Sequence, residues 1–466
     1  TMWHDVFVAN RDACLKTLDS FTDGLAQLRT AVADGDSQTM MGIFTRARSA
    51  RHHFEKILAG TAYTGTMTNT KHFNVHPGGQ VKGRIRVPGD KSVSHRSIML
   101  GALAQGTTHI SGFLEGEDAM ATLQAFRDMG VVIEGPDDGK VVVHGVGLRG
   151  LQPPPGPLYV GNSGTTIRLM AGLMAGQKFD VELSGDVSLN KRPMERVATP
   201  LRLMGAVVDT AEGGCPPMRI KGGQALQGIH YDLPMASAQV KSCVVLAGLY
   251  AQGRTSVTEP APTRDHTERM LKGFGYAVER TSDTCAIIGQ GALIATDIDV
   301  PSDISSATFF LVAAAICPAS DLVVEHVGMN PTRVGVINIL RLMGADLTVL
   351  NEREVGGEPV ADLHVKYSPL TGIRVPEDQV PLAIDEFPSI FIAASCAEGT
   401  TVLTGAEELR VKESDRIQAM VDGLQVLGVD AVGTEDGAII KGFGSEGSFN
   451  GGEVDSVDDH RIAMSF

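Results

Sequence analysis

Leu340-Arg-Leu-Met-Gly344-Ala-Asp-Leu347 decides how the rest of the chain is read. Apolar residues at helical spacing run into a glycine and then straight into a β-prone run. This predicts a helix stopped by a left-handed glycine and followed by a strand. The same order of elements returns at Phe126-Arg-Asp-Met-Gly130-Val-Val-Ile133, Leu201-Arg-Leu-Met-Gly205-Ala-Val-Val208, Leu271-Lys-Gly-Phe-Gly275-Tyr-Ala-Val278 and Leu424-Gln-Val-Leu-Gly428-Val-Asp-Ala431. Upstream of three of these helices stands a strand signal, Gly-x-Thr-x-aliphatic: Gly106-Thr-Thr-His-Ile110, Gly253-Arg-Thr-Ser-Val257 and Gly399-Thr-Thr-Val-Leu403. The turn glycines recur every 70–85 residues or about that, too far apart for a solenoid and suited to a small βαβ-type unit used several times. If the units group as two domains of three, a sixth turn glycine is due at about position 500, beyond Phe466.

Composition agrees with an α/β chain. The 466 residues suggest two to four domains. Hydrophobic residues make up 43% and charged ones 20%, and 54 glycines against 5% aromatics imply tight turns and aliphatic cores. A net charge of -15 argues against non-specific nucleic-acid binding or attachment to an anionic membrane, so any anionic ligand must be captured by local basic residues. Six scattered cysteines without C-x-x-C spacing indicate neither a zinc site nor a disulfide framework. No apolar run approaches the roughly 18–20 residues of a membrane helix and no signal peptide is visible, which predicts a cytoplasmic protein. Residues 1–60 read as an α-helical hairpin, from Leu15, Leu18, Phe21, Leu25, Leu28 and Val32, with Asp36 or Ser37 capping its second arm; residues 61–70 read as a linker. The chain opens on Thr1 and stops at Phe466 inside an apolar phrase, so both ends read as cut.

Chemistry concentrates where small residues and cations precede helices. Pro88-Gly-Asp-Lys-Ser-Val-Ser-His-Arg96 leads into an apolar helix read over 98–104, and offers two cations and several hydroxyls to a phosphate or carboxylate. Its spacing does not fit a Walker A loop. Gly161-Asn-Ser-Gly-Thr-Thr-Ile-Arg168 is a second small-residue loop, Lys191-Arg192 a pair of cations before a helix, and Met235-Ala-Ser-Ala-Gln-Val-Lys-Ser242 a third such start. Thr263-Arg-Asp-His-Thr-Glu268 repeats the theme. Among acids, Asp385 between apolar segments is available as a general base, and Lys412, Glu413 and Arg416 are read as opening a helix with several charges on one face. Asp459-His-Arg461 adds a further cation. Each phrase alone is also ordinary capping or surface material; their coincidence is what points to a polyanion site.

Taken in order, Gly89–Arg96, Gly161–Thr165, Lys191–Met194, Ala236–Ser242, Thr263–His266, Ile384–Pro388, Arg410–Arg416 and Asp459–Met464 make residues 71–466 resemble the 5-enolpyruvylshikimate-3-phosphate (EPSP) synthase family, in its class II branch. The resemblance implies two domains of three βαβαββ units, an inside-out α/β barrel that closes over its substrates like a hinge. Residues 90–300 would form one domain, and 71–89 with 301–466 the other, lacking part of its last unit. Residues 1–60, through Met2-Trp-His-Asp-Val-Phe7 and Ala9-Asn-Arg-Asp12, are similar to the C-terminal helical dimerisation region of prephenate dehydrogenases. No Gly-x-Gly-x-x-Gly nucleotide motif accompanies them.

The implied reaction transfers the enolpyruvyl group of phosphoenolpyruvate to the 5-hydroxyl of shikimate 3-phosphate, with no metal and no cofactor. The resemblance assigns Lys91, Ser92, Arg96, Ser237, Ala238, Arg264, Asp385 and Lys412 to shikimate 3-phosphate. Lys91, Gly164, Arg192, Gln239, Arg416 and Arg461 go to phosphoenolpyruvate, and Asp385, Glu413 and Lys91 to catalysis. It further implies glyphosate as an inhibitor, a monomeric synthase part and dimerisation through residues 1–60. Two alternatives stand beside it: a catalytically impaired fragment with an oligomerising hairpin, and the related transferase acting on UDP-N-acetylglucosamine.

Overall fold

The five turn glycines, Gly130, Gly205, Gly275, Gly344 and Gly428, all take positive φ angles between 77° and 96°. That conformation costs an L-residue about 1–2 kcal/mol, which explains why the same residue recurs there. The computed structural model describes residues 11–37, 39–44, 47, 51, 72–76, 78–355 and 357–466. Helices α1 (Arg11–Asp34), α2 (Lys91–Leu103), α3 (Glu117–Asp128), α4 (Gly164–Ala175), α5 (Glu195–Leu203), α6 (Ala238–Gly248) and α7 (His266–Gly273) precede residue 300. After it come α8 (Ile304–Ile316), α9 (Gly335–Leu342), α10 (Phe387–Ser395), α11 (Arg416–Val426) and α12 (His460–Ser465).

The strands repeat one plan. Ala104–Ser111 pairs antiparallel with Lys140–Val146, which pairs with Val132–Asp137. Val181–Ser184, Cys215–Lys221 and Val207–Ala211 follow the same path, as do Arg254–Thr258, Thr284–Ile288 and Glu279–Arg280. In the second half Asp321–Gly328, Glu358–Lys366 and Asp346–Val355 form the fourth copy, and Glu398–Leu403, Ala438–Phe443 and Asp430–Gly433 the fifth. Each three-strand path gains a parallel neighbour on its open edge. Leu158–Tyr159, His230–Asp232 and Lys82–Ile85 are three of these, and Thr371 and Arg374 supply isolated bridges for the fifth. The first sheet takes its parallel strands from Leu293–Ile294 and Ile298–Asp299, so the first half closes on itself. No sixth sheet is present among the described residues.

Packing follows the same division. One apolar core runs from Val93 to Val300, and a second comprises Val87 with residues from Ile304 to Ile462. The chain passes between them twice, side by side: Asp90 N donates to Pro301 O at 2.7 Å and Asp303 N to Pro88 O at 3.0 Å. A Cβ on Gly89 would stand 2.0 Å from Gly112 O, so the crossing admits only glycine. Arg333, 4% exposed, pins the two strands by donating to Asp90 Oδ2 at 2.7 Å, Asp303 Oδ1 at 3.3 Å and Ser305 Oγ at 2.5 Å. Its own charge is held on by Asp303, Asp90 and Glu386, which outweigh the opposing effect of burial.

The N-terminal segment fits its reading in part. Helix α1 forms, and Asp36 caps a further helical stretch by accepting from Thr39 N at 3.0 Å. Leu15, Leu18, Phe21, Leu25 and Val32 are exposed and Leu28 is half-buried, so the described residues leave most of the face expected to be a hairpin core uncovered. The linker and the rest of the second arm lie outside the described residues, as does the side chain of Cys14. Among the described residues no helix is long and apolar enough to cross a membrane.

A buried relay sets the helices of the first half against one another. His95 Nδ1 lies 2.7 Å from Thr122 Oγ1, which lies 2.7 Å from Thr166 Oγ1, which donates to Ser163 Oγ at 2.6 Å. This links α2, α3 and α4 through side chains with no exposure. Burial, followed by the positive charge of Lys91, pulls the His95 imidazole down to about 3, so it stays neutral when folded. The unfolded chain takes up that proton near pH 6.5 and the folded one does not, so stability is full above about pH 6.5 and falls as the pH drops below it. In His95→Gln, urea titrations should show the loss of unfolding free energy between about pH 6.5 and pH 4 shrink by about 3 kcal/mol; an unchanged loss would contradict the neutral assignment. Arg333→Met strands three buried carboxylates and should lower unfolding free energy by about 3–5 kcal/mol at neutral pH; a change within about 1 kcal/mol would show that the pin is dispensable.

Candidate active site

The phrases singled out in the sequence become helix starts. Asp90 accepts from Val93 N at 2.9 Å and begins α2 at Lys91, so the first phrase forms the opening turns of a helix that had been expected only from Ile98. Ser163 caps α4, Ser237 caps α6 and Asp459 caps α12, each accepting a backbone N–H with its side chain. These ends carry partial positive charge and free N–H groups, which suit anionic ligands. Lys412 and Glu413 do not open a helix as expected. Asp415 caps the chain at Gln418 N, so α11 begins at Arg416 and both earlier residues lie in the preceding turn.

Asp385, two residues before α10, is where the two halves meet. Arg264 from the first half contacts its Oδ2 directly. From the second half Arg416 Nη1 stands 3.2 Å and Lys412 Nζ 3.7 Å from Oδ1, while Arg461 donates to the Asp385 carbonyl at 3.1 Å. Burial by itself would raise the Asp385 carboxyl; Lys412, Arg264, Arg461 and Arg416 together hold it well below the usual carboxylate range. Glu413, whose side chain is 36% exposed, lies 2.5 Å from Arg416 Nη2, and against partial desolvation its carboxyl too is held low, chiefly by Arg416.

A second cationic group lies in the first half. Gln239 Oε1 accepts from Arg168 Nη1 at 2.7 Å, and Gln239 Nε2 donates to Thr165 Oγ1 at 3.2 Å. Arg192 donates to Asn162 at 2.7 Å. Gly164 lets the two guanidiniums approach, since a Cβ there would meet Arg168 Nη1 at 2.8 Å and Arg192 Nη1 at 3.3 Å. Burial, with the like charges of Arg196 and Arg192, pulls Arg168 down to about 10, the mark of cations crowded without enough anions. Glu413 acts electrostatically on both Arg168 and Arg192, which couples this group to the one around Asp385.

The remaining expected residues divide. Lys91 is half exposed with its ammonium on Asp118, and Ser92, Ser237 and Ala238 are half-buried at the starts of α2 and α6. Arg96 is 5% exposed and points into the protein, donating to Thr267 Oγ1 at 2.7 Å, Ser92 O at 3.0 Å and Ser242 Oγ at 3.1 Å. Four charged residues escaped the sequence reading: Arg168, Asp118, Asp459 and Arg333. Asp459 accepts from Arg416 Nε at 2.8 Å and Ser414 Oγ at 2.9 Å, orienting Arg416 toward Asp385. Arg168 closes and Asp459 opens a phrase already marked, so a charge at either end of a helix-start phrase was the available signal; Asp118 and Arg333 carry none.

Comparison with known proteins places the chain in one family. The family described as EPSP synthase (3-phosphoshikimate 1-carboxyvinyltransferase) matches residues 75–466. A 3-phosphoshikimate 1-carboxyvinyltransferase of Methylococcus capsulatus is 65% identical over 394 residues, 84% of this chain and 89% of that protein. Its counterpart in Alkalilimnicola ehrlichii is 64% identical over 394 residues, 84% and 88% of the two chains. A solved EPSP synthase from Acinetobacter baumannii superposes with a TM-score of 0.78 at 65% identity, covering 83% of this chain and 88% of its own. The chain therefore belongs to the EPSP synthase family, with its two-domain enolpyruvyl transferase fold.

Proposed function

We propose that this protein transfers the enolpyruvyl group of phosphoenolpyruvate to the 5-hydroxyl of shikimate 3-phosphate and releases phosphate. The observation that carries the reading is one half-buried carboxylate, Asp385, ringed by cations drawn from both halves. Two polyanionic substrates need that surplus of positive charge, and a reacting hydroxyl needs a carboxylate to receive its proton. The relatives carry the name of this reaction.

In the first step C3 of the enol gains a proton while the 5-hydroxyl oxygen attacks C2 and loses its own. In the second the C2–O bond to phosphate breaks, phosphate leaves, and a C3 proton departs to restore the double bond. Asp385 receives the hydroxyl proton, Glu413 serves C3, and Lys91 stabilises charge between the substrates. Without ligands Asp385 is a poor base because its cations hold it ionised. Substrate phosphate and carboxylate groups compete for those cations, which returns basicity to Asp385 only when the site is filled. Lys91, Ser92, Arg96, Ser237, Ala238, Arg264, Asp385 and Lys412 hold shikimate 3-phosphate. Lys91, Gly164, Arg192, Gln239, Arg416 and Arg461 hold phosphoenolpyruvate.

The reading extends to domains at 90–300 and at 71–89 with 301–466, to the cytoplasm as location and to glyphosate as an inhibitor. Residues 1–60 descend from a dehydrogenase dimerisation region, and the exposed apolar side chains of α1 suit contact with a second copy. The synthase part itself is monomeric.

Asp385→Asn keeps a hydrogen-bonding group at the 5-hydroxyl and should change shikimate 3-phosphate affinity by no more than about ten-fold, while phosphate release from both substrates slows by about 100-fold or more; turnover within about three-fold of the parent would remove Asp385 from the base role. Lys91→Met should weaken both ligands in calorimetric titrations, because one ammonium faces two anions; if neither affinity changes, Lys91 does not lie between them.

A further inference from the structure

The first half holds a group of charges that the proposed reaction does not use. Lys241, in the first turn of α6, has no solvent exposure. Its ammonium stands 2.6 Å from Glu259 Oε1 and 2.8 Å from Glu268 Oε1, and both carboxylate side chains are only 3% exposed. Arg280 completes the group from the solvent side, 2.8 Å from Glu268 Oε1 and 3.6 Å from Glu259 Oε2. Two cations and two carboxylates leave it neutral, so it contributes nothing to attracting anions. Its meaning lies in what it connects.

Glu259 directly follows the strand Arg254–Thr258, and Glu268 lies in the first turn of α7. The segment between them carries Arg264, the one first-half cation that touches Asp385. Thr263, its neighbour, donates a hydrogen bond to Glu259. A single ammonium thus holds both ends of the segment that presents Arg264. It does so from the helix whose start presents Ser237, Ala238 and Gln239. A second layer runs parallel: Ser242 Oγ lies 2.7 Å from Thr267 Oγ1, and Arg96 donates to both.

We propose that Lys241 is a positioning residue that fixes Arg264 relative to the start of α6 and so sets affinity for shikimate 3-phosphate; this rests on the function proposed above. The physical reason is that neither carboxylate can leave a buried ammonium without an uncompensated desolvation cost. A short segment with both ends fixed has few conformers to lose on binding, so its cation is ordered in advance. Phosphoenolpyruvate, assigned no contact with Arg264, depends much less on the clamp.

The test is calorimetric titration of the full chain with each substrate, alongside thermal unfolding. Lys241→Met should weaken shikimate 3-phosphate binding by about ten-fold or more and change phosphoenolpyruvate binding by less than about three-fold. The double variant Lys241→Met, Glu259→Gln removes the surplus carboxylate and keeps the Arg280–Glu268 pair; it should recover melting temperature without recovering shikimate 3-phosphate affinity. If affinity returns with stability, or if Lys241→Met binds shikimate 3-phosphate like the parent, the positioning role is overturned. Should neither variant fold, Thr263→Val decides, since it cuts only the hydroxyl link to Glu259: weakening by about three-fold or more supports the clamp and an unchanged affinity overturns it. Failure of the functional reading looks different, because the parent protein itself would then bind no shikimate 3-phosphate.

Discussion

Everything in this protein is arranged around a double crossing held by one buried guanidinium. Two strands pass between two independent apolar cores at the same place, and Arg333 binds Asp90 from one strand and Asp303 from the other. Glu386, 3.6 Å from the same guanidinium, precedes α10 and follows Asp385. The pin therefore ties the crossing to the residue on which the two halves converge. A buried cation among carboxylates is a poor source of net stability, but removing it is costly because the anions cannot be rehydrated. That asymmetry makes it a locator more than a glue.

The second consequence concerns charge. The chain carries a net charge of -15, yet Arg264, Lys412, Arg416 and Arg461 gather on one carboxylate, and Arg168 and Arg192 crowd together. Local arrangement overrides the average because these groups are partly shielded from water, where attraction and repulsion are screened least. Helix starts add to it: α2, α4, α6 and α12 each present free N–H groups next to these cations. The carboxylates that remain, Asp385, Glu413 and Asp459, pair with Arg416 and keep it ordered.

Much of this could be read in advance for a physical reason. A left-handed glycine between helix and strand is a local requirement, so Gly130, Gly205, Gly275, Gly344 and Gly428 announce five copies of one unit before any contact is known. Helix starts are likewise local, and the structure brings four of the cations singled out near them, Arg264, Lys412, Arg416 and Arg461, together around one carboxylate. Errors arose where a boundary depended on one side chain. Asp90 begins α2 at Lys91, ahead of the apolar run, and Asp415 delays α11 until Arg416, which leaves Lys412 and Glu413 in a turn. Exposed Leu15, Phe21 and Leu25 show the limit of periodicity, which marks an apolar face without naming what covers it.

What the sequence determined by itself was the unit, its repetition and the chemical types at each helix start, because these rest on interactions within a few residues. Only the tertiary structure decided the partners. Arg264 and Asp385 are 121 positions apart, Arg333 and Asp90 243 apart, and Lys241 reaches two acids on separate elements. No local rule pairs such groups. They meet because the sheets close each half and the double crossing fixes one half against the other, and the desolvation of each buried charge leaves it no alternative partner.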